Sequence, residues 1–456
     1  MVEALNRLKK IAISVAISAW GVFSATVSVA AEDDMVLISD TETQNYLASV
    51  VKPLYNAAGL NFDKNRLLIV RDNSLNAFVS DGNYMFVHTG TILAADDTNE
   101  LAGILAHETG HIMGGHIVRQ KLKLEKMQYV LLGSMIAAGA TAVSTGRGDA
   151  AMAVILGSQS SMINHMLHHQ IQEERAADES AVILLDKTKQ STAGLLRFMQ
   201  KIQKHNLQSG ISETDYFSNH PLTSERISHF TEVGKHNHYS AKSALDAKFA
   251  LVQAKLSGYL EDSARVWRRY PKEGASAAAK YAHSILYFRQ SKLPQAYKLV
   301  DELITEQPNN PYFYELKGQF LFENGRVKES VSAYEKALAL LPEAPNLQFS
   351  LAHALLESSE DKAVAKRAIM LLQKAQLKQP TAEGWLLLSR AYDIIGNRSA
   401  SLYAAAEFSY DIGNLPAAEN QLEQAQKTAT DKALKLKISD LLERVKEEIK
   451  EMEDTF

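Results

Sequence analysis

The sequence predicts an α+β fold in two parts, a mostly helical N-terminal half with a small β-sheet and an all-α solenoid behind it. Three observations carry this. An apolar helical run at 101–117 holds the pentad His107-Glu108-Thr109-Gly110-His111. Strand signals are confined to the stretch ahead of that run, at 66–70 and 84–87. From about residue 240 onward they vanish, and helix formers recur in units of 34 residues, the spacing of Pro308 and Pro342.

The chain of 456 residues is long enough for two or three domains. Its formal net charge of −4 argues against a nucleic-acid partner and gives no reason to expect attraction to an anionic membrane surface. There is no cysteine, so neither a lipoprotein anchor nor a disulfide framework can form. Arg7, Lys9 and Lys10 precede an uncharged stretch that closes on Ser28-Val29-Ala30-Ala31, an A-x-A-like site. Residues 1–31 therefore read as a secretory signal peptide cleaved after Ala30 or Ala31, with an uncleaved anchor as the alternative.

The elements follow in order. Residues 46–58 have the pattern of an amphipathic helix, and 66–70 and 84–87 that of strands, with Asp81-Gly82-Asn83 as a turn. Asp97-Thr98-Asn99-Glu100 has the D-x-x-E form of a capping box. Leu101, Ile104 and Leu105 then recur at helical spacing, which puts the pentad about two turns into the helix.

Helical geometry gives the pentad its meaning. His107 and His111 are four residues apart, leave one face and can close on one metal ion. Glu108 leaves at a different angle and can act on water beside that ion, an arrangement suited to amide hydrolysis near neutral pH. A third protein ligand is needed. The H-E-x-x-H-x-x-G-x-x-H pattern requires histidine at position 117, where Ile117 stands. His116 is one residue early, about 100° of helix rotation away. Downstream, Glu173-Glu174-Arg175-Ala176-Ala177-Asp178 places Glu174 and Asp178 on one helix face. Glu174 can complete a His-His-Glu site, and Asp178 can accept a hydrogen bond from a ligand imidazole. Taken alone, this segment would read as a solvated charged face.

With H-E-x-x-H followed by E-x-x-A-D, the chain resembles the gluzincin peptidases, the family of HtpX and the CAAX prenyl endopeptidases, and within it the BepA-like periplasmic zinc metalloproteases. Further matches are Asn76-Ala77-Phe78 with Tyr84-Met85-Phe86-Val87-His88, similar to the family's N-A-F and edge-strand segment; His116; and His220-Pro221 with Arg226, similar to its H-P-x-x-x-x-R motif. The resemblance spans roughly residues 40–235. His168-His169-Gln170-Ile171-Gln172 departs from it, since relatives often carry a serine-arginine pair there. The resemblance implies one zinc ion on His107, His111 and Glu174, with Glu108 as base, and a strand edge made by Asn76, Ala77, Phe78, Tyr84, Met85, Phe86 and Val87. An extended peptide adds to such an edge through main-chain hydrogen bonds. Three readings of His220 stand open. It is a fourth zinc ligand that holds the enzyme latent, it binds substrate together with Arg226, or it merely precedes a helix begun by Pro221.

Residues 127–145 and 150–166 carry no charge. Gln159, Asn164 and His165 would be costly in lipid, which favours a helical lid over the site and leaves peripheral membrane contact as the alternative. Beyond them, Tyr314, Gly318, Leu321, Ala333, Tyr334 and Ala337 recur at tetratricopeptide spacing in the unit that ends at Pro342. The next unit ends at Pro380, stretched by a loop at 357–361. A further one starts with Trp385, Leu388 and Tyr392, and the charged run 437–453 reads as a solvated capping helix.

The expected domains are thus the signal peptide (1–31), a mostly helical zincin-type peptidase domain with a small β-sheet (32–236), and an all-α tetratricopeptide solenoid (237–456). The expected function is zinc-dependent endopeptidase of the cell envelope. The resemblance implies a periplasmic location, unfolded or stalled outer-membrane proteins as clients, and repeats that recruit clients or the barrel-assembly machinery. A chaperone-like adaptor with latent proteolysis is the alternative.

Overall fold

The computed structural model describes residues 35–119, 169–209, 220 and 223–453. The expected signal peptide and the uncharged insert at 127–166 lie outside the described residues. Among the described residues, no helix is long and apolar enough to cross a membrane.

Strands β1 (Leu37–Ile38), β2 (Leu67–Val70), β3 (Ala77–Ser80) and β4 (Tyr84–His88) form a sheet in the order β1-β2-β4-β3. β2 and β4 run parallel, with Leu67 opposite Met85 and Val70 opposite His88. β3 and β4 are antiparallel, with Ala77 opposite Val87 and Val79 opposite Met85. The turn between them falls at Asp81–Asn83, where Gly82 (φ 77°) and Asn83 (φ 61°) take the left-handed backbone that a tight hairpin needs. Alternation sorts the side chains. Ala77, Val79, Met85 and Val87 are buried on one face, while Phe78 and Phe86 stack at 4.8 Å on the other.

This order corrects the expected edge. Tyr84, Met85, Phe86 and Val87 lie inside the sheet, between β2 and β3. Only β3, with Ala77 and Phe78, stands at the end of the strand order on this side. A parallel pairing joins segments distant in sequence, so strand patterning alone does not reveal it.

The helices ahead of the repeats are α1 (Thr41–Ala57), α2 (Thr89–Ala94), α3 (Thr98–Gly114), α4 (169–187), α5 (Ala193–Ser209), α6 (Ser224–His236) and α7 (Asp246–Leu260). Ala77 of β3 packs with Ile104 of α3 and with Phe198 and Ile202 of α5. Glycines let α3 and α5 cross closely. A Cβ on Gly103 would lie 2.7 Å from Leu195, and one on Gly194 would lie 2.2 Å from the Asn99 carbonyl oxygen.

The chain divides into two compact units, residues 43–253 and residues from 254 onward together with those up to 42. The first extends past the expected break at 236/237. Thr98 N–H donates to Asp246 at 3.1 Å, Phe249 stacks on Tyr46 at 5.2 Å, and Gln253 donates to the carbonyls of Ile92 and Ala95.

The second unit is a run of helices: α8 (Ser263–Arg269), α9 (Ala277–Arg289), α10 (Leu293–Glu306), α11 (Pro311–Glu323), α12 (Val327–Leu340), α13 (Pro345–Ser358), α14 (Lys362–Lys378), α15 (Ala382–Ile394), α16 (Arg398–Asp411), α17 (Leu415–Thr428) and α18 (Lys432–Glu453). Gly318 of α11 must be small, because its Cβ would lie 2.8 Å from the Tyr334 ring of α12. Gly325 and Gly396 turn the α11–α12 and α15–α16 connections with φ of 72° and 80°. The long third unit is not stretched at its loop. Glu357 and Ser358 are helical, and the extra length sits mainly in α14, which has 17 residues where α12 has 14. Ile438, Leu441, Leu442 and Val445 bury one face of α18, so the charged terminal helix is closely packed.

Candidate active site

Helix α3 starts where the capping pattern places it. The Asp97 carboxylate accepts from the Glu100 N–H at 2.8 Å. The return bond lands one residue early, since Glu100 accepts from the Asp96 N–H at 3.0 Å. Lys201 and Arg197 of α5 pair with the buried Glu100 at 2.8 and 3.4 Å. At the other end Gly115 (φ 60°) turns the chain out of the helix, and its N–H bonds to the carbonyls of His111 and Ile112. The chain folds back and sets His116 Nδ1 2.8 Å from His111 Nδ1. A Cβ on Gly114 would lie 2.2 Å from the His116 ring, so this return requires glycine.

Gly110, inside the pentad, has a similar role toward α4. A Cβ there would lie 2.6 Å from the Ala177 carbonyl oxygen. The close approach brings Glu174 and Asp178, which flank Ala177 on α4, up to the two histidines. His107 Nε2 is 3.1 Å from His111 Nε2 and 3.2 Å from Glu174 Oε2. His111 Nε2 is 3.3 Å from Glu174 Oε1. His220 Nδ1 points to the same centre, 3.0 Å from Glu174 Oε1 and 3.4 Å from His107 Nε2. One ligand atom from each of His107, His111, Glu174 and His220 lies within 4.8 Å of every other.

Partners behind the centre fix these groups. His107 Nδ1 is 2.8 Å from Asp178 Oδ1, which leaves Nε2 facing inward. Asp178 accepts a forked pair from Arg226, Nε at 2.6 Å and Nη2 at 2.8 Å. Arg226 Nη1 also reaches Glu174 Oε2 at 2.9 Å. Glu108 is fully buried, and neither of its carboxylate oxygens makes a hydrogen bond. Its Oε1 lies 3.5 Å from His220 Nε2. A buried carboxyl group without a hydrogen bond is costly, and it fits a centre completed by a metal ion and water. The four converging N and O donors fit the same ion.

Burial and neighbours set different protonation tendencies. Burial lowers His107, but hydrogen bonds to Asp178 and Glu174 outweigh it and carry the group up to about 10. Burial holds His111 down to about 3, with Glu174 only partly opposing. Burial pushes Glu174 up, yet His220, His107 and His111 beside it keep it well below the usual carboxylate range. Burial raises Glu108, and the neighbouring His220 and His107 oppose this without reversing it.

His107, Glu108, His111, Glu174, Asp178, His220 and Arg226 therefore meet in one buried place. Two expectations change. His220 is no mere helix preface, because α6 begins at Ser224 with Thr223 as its cap, and His220 is only 5% exposed at the centre. Arg226 does not face substrate, since its guanidinium is 3% exposed and committed to Asp178 and Glu174. Helical spacing does not show the support of His111 by His116. Its signal was the Gly114-Gly115 pair, which ends the helix one residue before it.

A helical domain with a small sheet, a helix-borne H-E-x-x-H and a glutamate from a second helix define a metalloendopeptidase. Residues 41–233 match the model of Peptidase family M48. The chain is 25% identical over 373 residues to the beta-barrel assembly-enhancing protease of Yersinia pestis, covering 78% of this chain and 74% of that protein. It is 22% identical over 399 residues to the beta-barrel assembly-enhancing protease of Escherichia coli K12, covering 85% and 80%. A shorter match, 28% over 163 residues, links it to the metalloprotease LoiP of Escherichia coli K12, covering 35% and 58%.

Proposed function

We propose that this metalloendopeptidase uses one zinc ion held by His107, His111 and Glu174, and that it acts in the periplasm on unfolded or stalled outer-membrane proteins. The convergence of those donors beside the buried Glu108 carboxyl, which makes no hydrogen bond, carries the reading. The ion would supply Lewis acidity toward the scissile carbonyl and toward water. The chain's own residues do the rest. Glu108 takes a proton from the attacking water and passes it to the leaving amine. Asp178 holds the His107 ring, and Arg226 holds Asp178 and Glu174 in place.

An extended client strand would add along β3, at Ala77 and Phe78, beside the packing of Ala77 on α3. His220 would supply a fourth ligand in a latent state and withdraw for catalysis, a role supported by its Nδ1 sharing the centre. The repeats would recruit clients or the barrel-assembly machinery. The length of the likeness to proteases named for β-barrel assembly supports the client class.

His111→Ala and Glu174→Ala test the ligand set. Each should lose bound zinc, measured by elemental analysis, together with cleavage of an unstructured casein substrate. Full zinc in either variant would remove that residue from the ligand set.

A further inference from the structure

Residues 39–42, which lead into and begin α1, belong to the same compact unit as the repeats. Ser39 Oγ accepts from Asn346 Nδ2 at 3.0 Å and from Gln379 Nε2 at 3.1 Å. Asn346 lies in the first turn of α13, and Gln379 caps the end of α14. Lys255 of α7 pairs with Asp40 at 2.5 Å and faces Glu42 and Glu315 of α11, each at 3.6 Å. The Tyr281 hydroxyl of α9 donates to Glu42 at 2.7 Å. The Tyr312 ring lies 5.9 Å from the Lys255 ammonium. Ser39, Asp40 and Glu42 thus meet α9 and α13 directly, and α11 through Lys255.

Several carboxylates share one ammonium at this contact. Lys255 is the cation acting on Glu42, and three carboxylates, Asp40, Glu42 and Glu315, surround it in a buried place. Glu42 is 4% and Lys255 7% exposed. Lys255 lies nearer Asp40 than the buried Glu42, so docking, which buries Glu42, favours uptake of a proton there.

We propose that residues 39–42 form a proton-dependent clasp, which binds α9 and α13 directly and α11 through Lys255 with a carboxyl group protonated, and loosens as the medium turns alkaline. Glu42 is the group placed to hold that proton. It faces Asp40 from its own segment, Lys255 from α7, Tyr281 from α9 and Glu315 from α11. Burial pushes it up to about 7, against the opposing pull of Lys255. The sign follows from this. A carboxyl raised in the docked state is stabilising below its ordinary value, and that stability is lost as pH rises through about 7. Between pH 6 and pH 8.5 the docking constant should fall roughly tenfold.

Hydrogen exchange on the full chain tests this, corrected for the intrinsic pH dependence of exchange. Amides of residues 39–42 should lose about tenfold in protection between pH 6 and pH 8.5. Glu42→Gln keeps an acceptor for Tyr281 but cannot ionise, and it should reduce the loss to less than about threefold. Unchanged protection in the wild-type chain overturns the clasp without reference to any variant. A tenfold loss persisting in Glu42→Gln overturns the assignment of the proton.

Discussion

Arg226→Met removes the cation that braces the proposed metal centre from behind. The guanidinium is 3% exposed and meets Asp178 at 2.6 and 2.8 Å and Glu174 at 2.9 Å. Methionine fills similar space but leaves both carboxylates buried without this partner. Breaking one side of a buried pair costs about 3–5 kcal/mol, a large part of the roughly 5–15 kcal/mol that holds a domain together. Arg226→Lys keeps the charge and loses the fork, so it should fall between the wild type and Arg226→Met. Urea unfolding in the presence of chelator reads the stability term, and zinc content after dialysis reads the site. Arg226→Met should unfold at markedly lower urea and retain less zinc. A variant within about 0.5 kcal/mol of the wild type, the ordinary range for surface changes, and with full zinc would refute the bracing role.

Two further outcomes follow from the same geometry. Gly110→Ala gains about 1 kcal/mol of helix propensity, but its Cβ would sit 2.6 Å from the Ala177 carbonyl, in the turn between Glu174 and Asp178. Overpacking of about 1–3 kcal/mol should win, so melting temperature and zinc retention should both fall; a stabilised variant with full zinc would contradict the close crossing. His220→Ala should keep zinc on the remaining three ligands and raise basal casein cleavage or self-cleavage. Lower cleavage with zinc intact would assign His220 to substrate binding instead.

Local rules made the centre legible wherever one helix sets the geometry. The pairing of His107 with His111, the start at Asp97 and the shared face of Glu174 and Asp178 all follow from helical spacing. What escaped depends on distant partners. The place of Tyr84–Val87 inside the sheet rests on a parallel pairing with residues 67–70. Helical patterning starts α1 only at residue 46 because Thr41, Glu42 and Thr43 are polar, yet all three are buried, Glu42 against Tyr281 and Lys255 far along the chain. The bracing role of Arg226 escapes local spacing for the same reason, since its carboxylate partners come from α4.

Glu108→Gln tests the central claim most directly, because it changes the proposed base and leaves the proposed ligands His107, His111 and Glu174 in place. Purified full-length protein should be measured for zinc stoichiometry and for casein cleavage in one preparation. The expected result is zinc near the wild-type level with cleavage abolished. Full zinc with undiminished cleavage would contradict the mechanism.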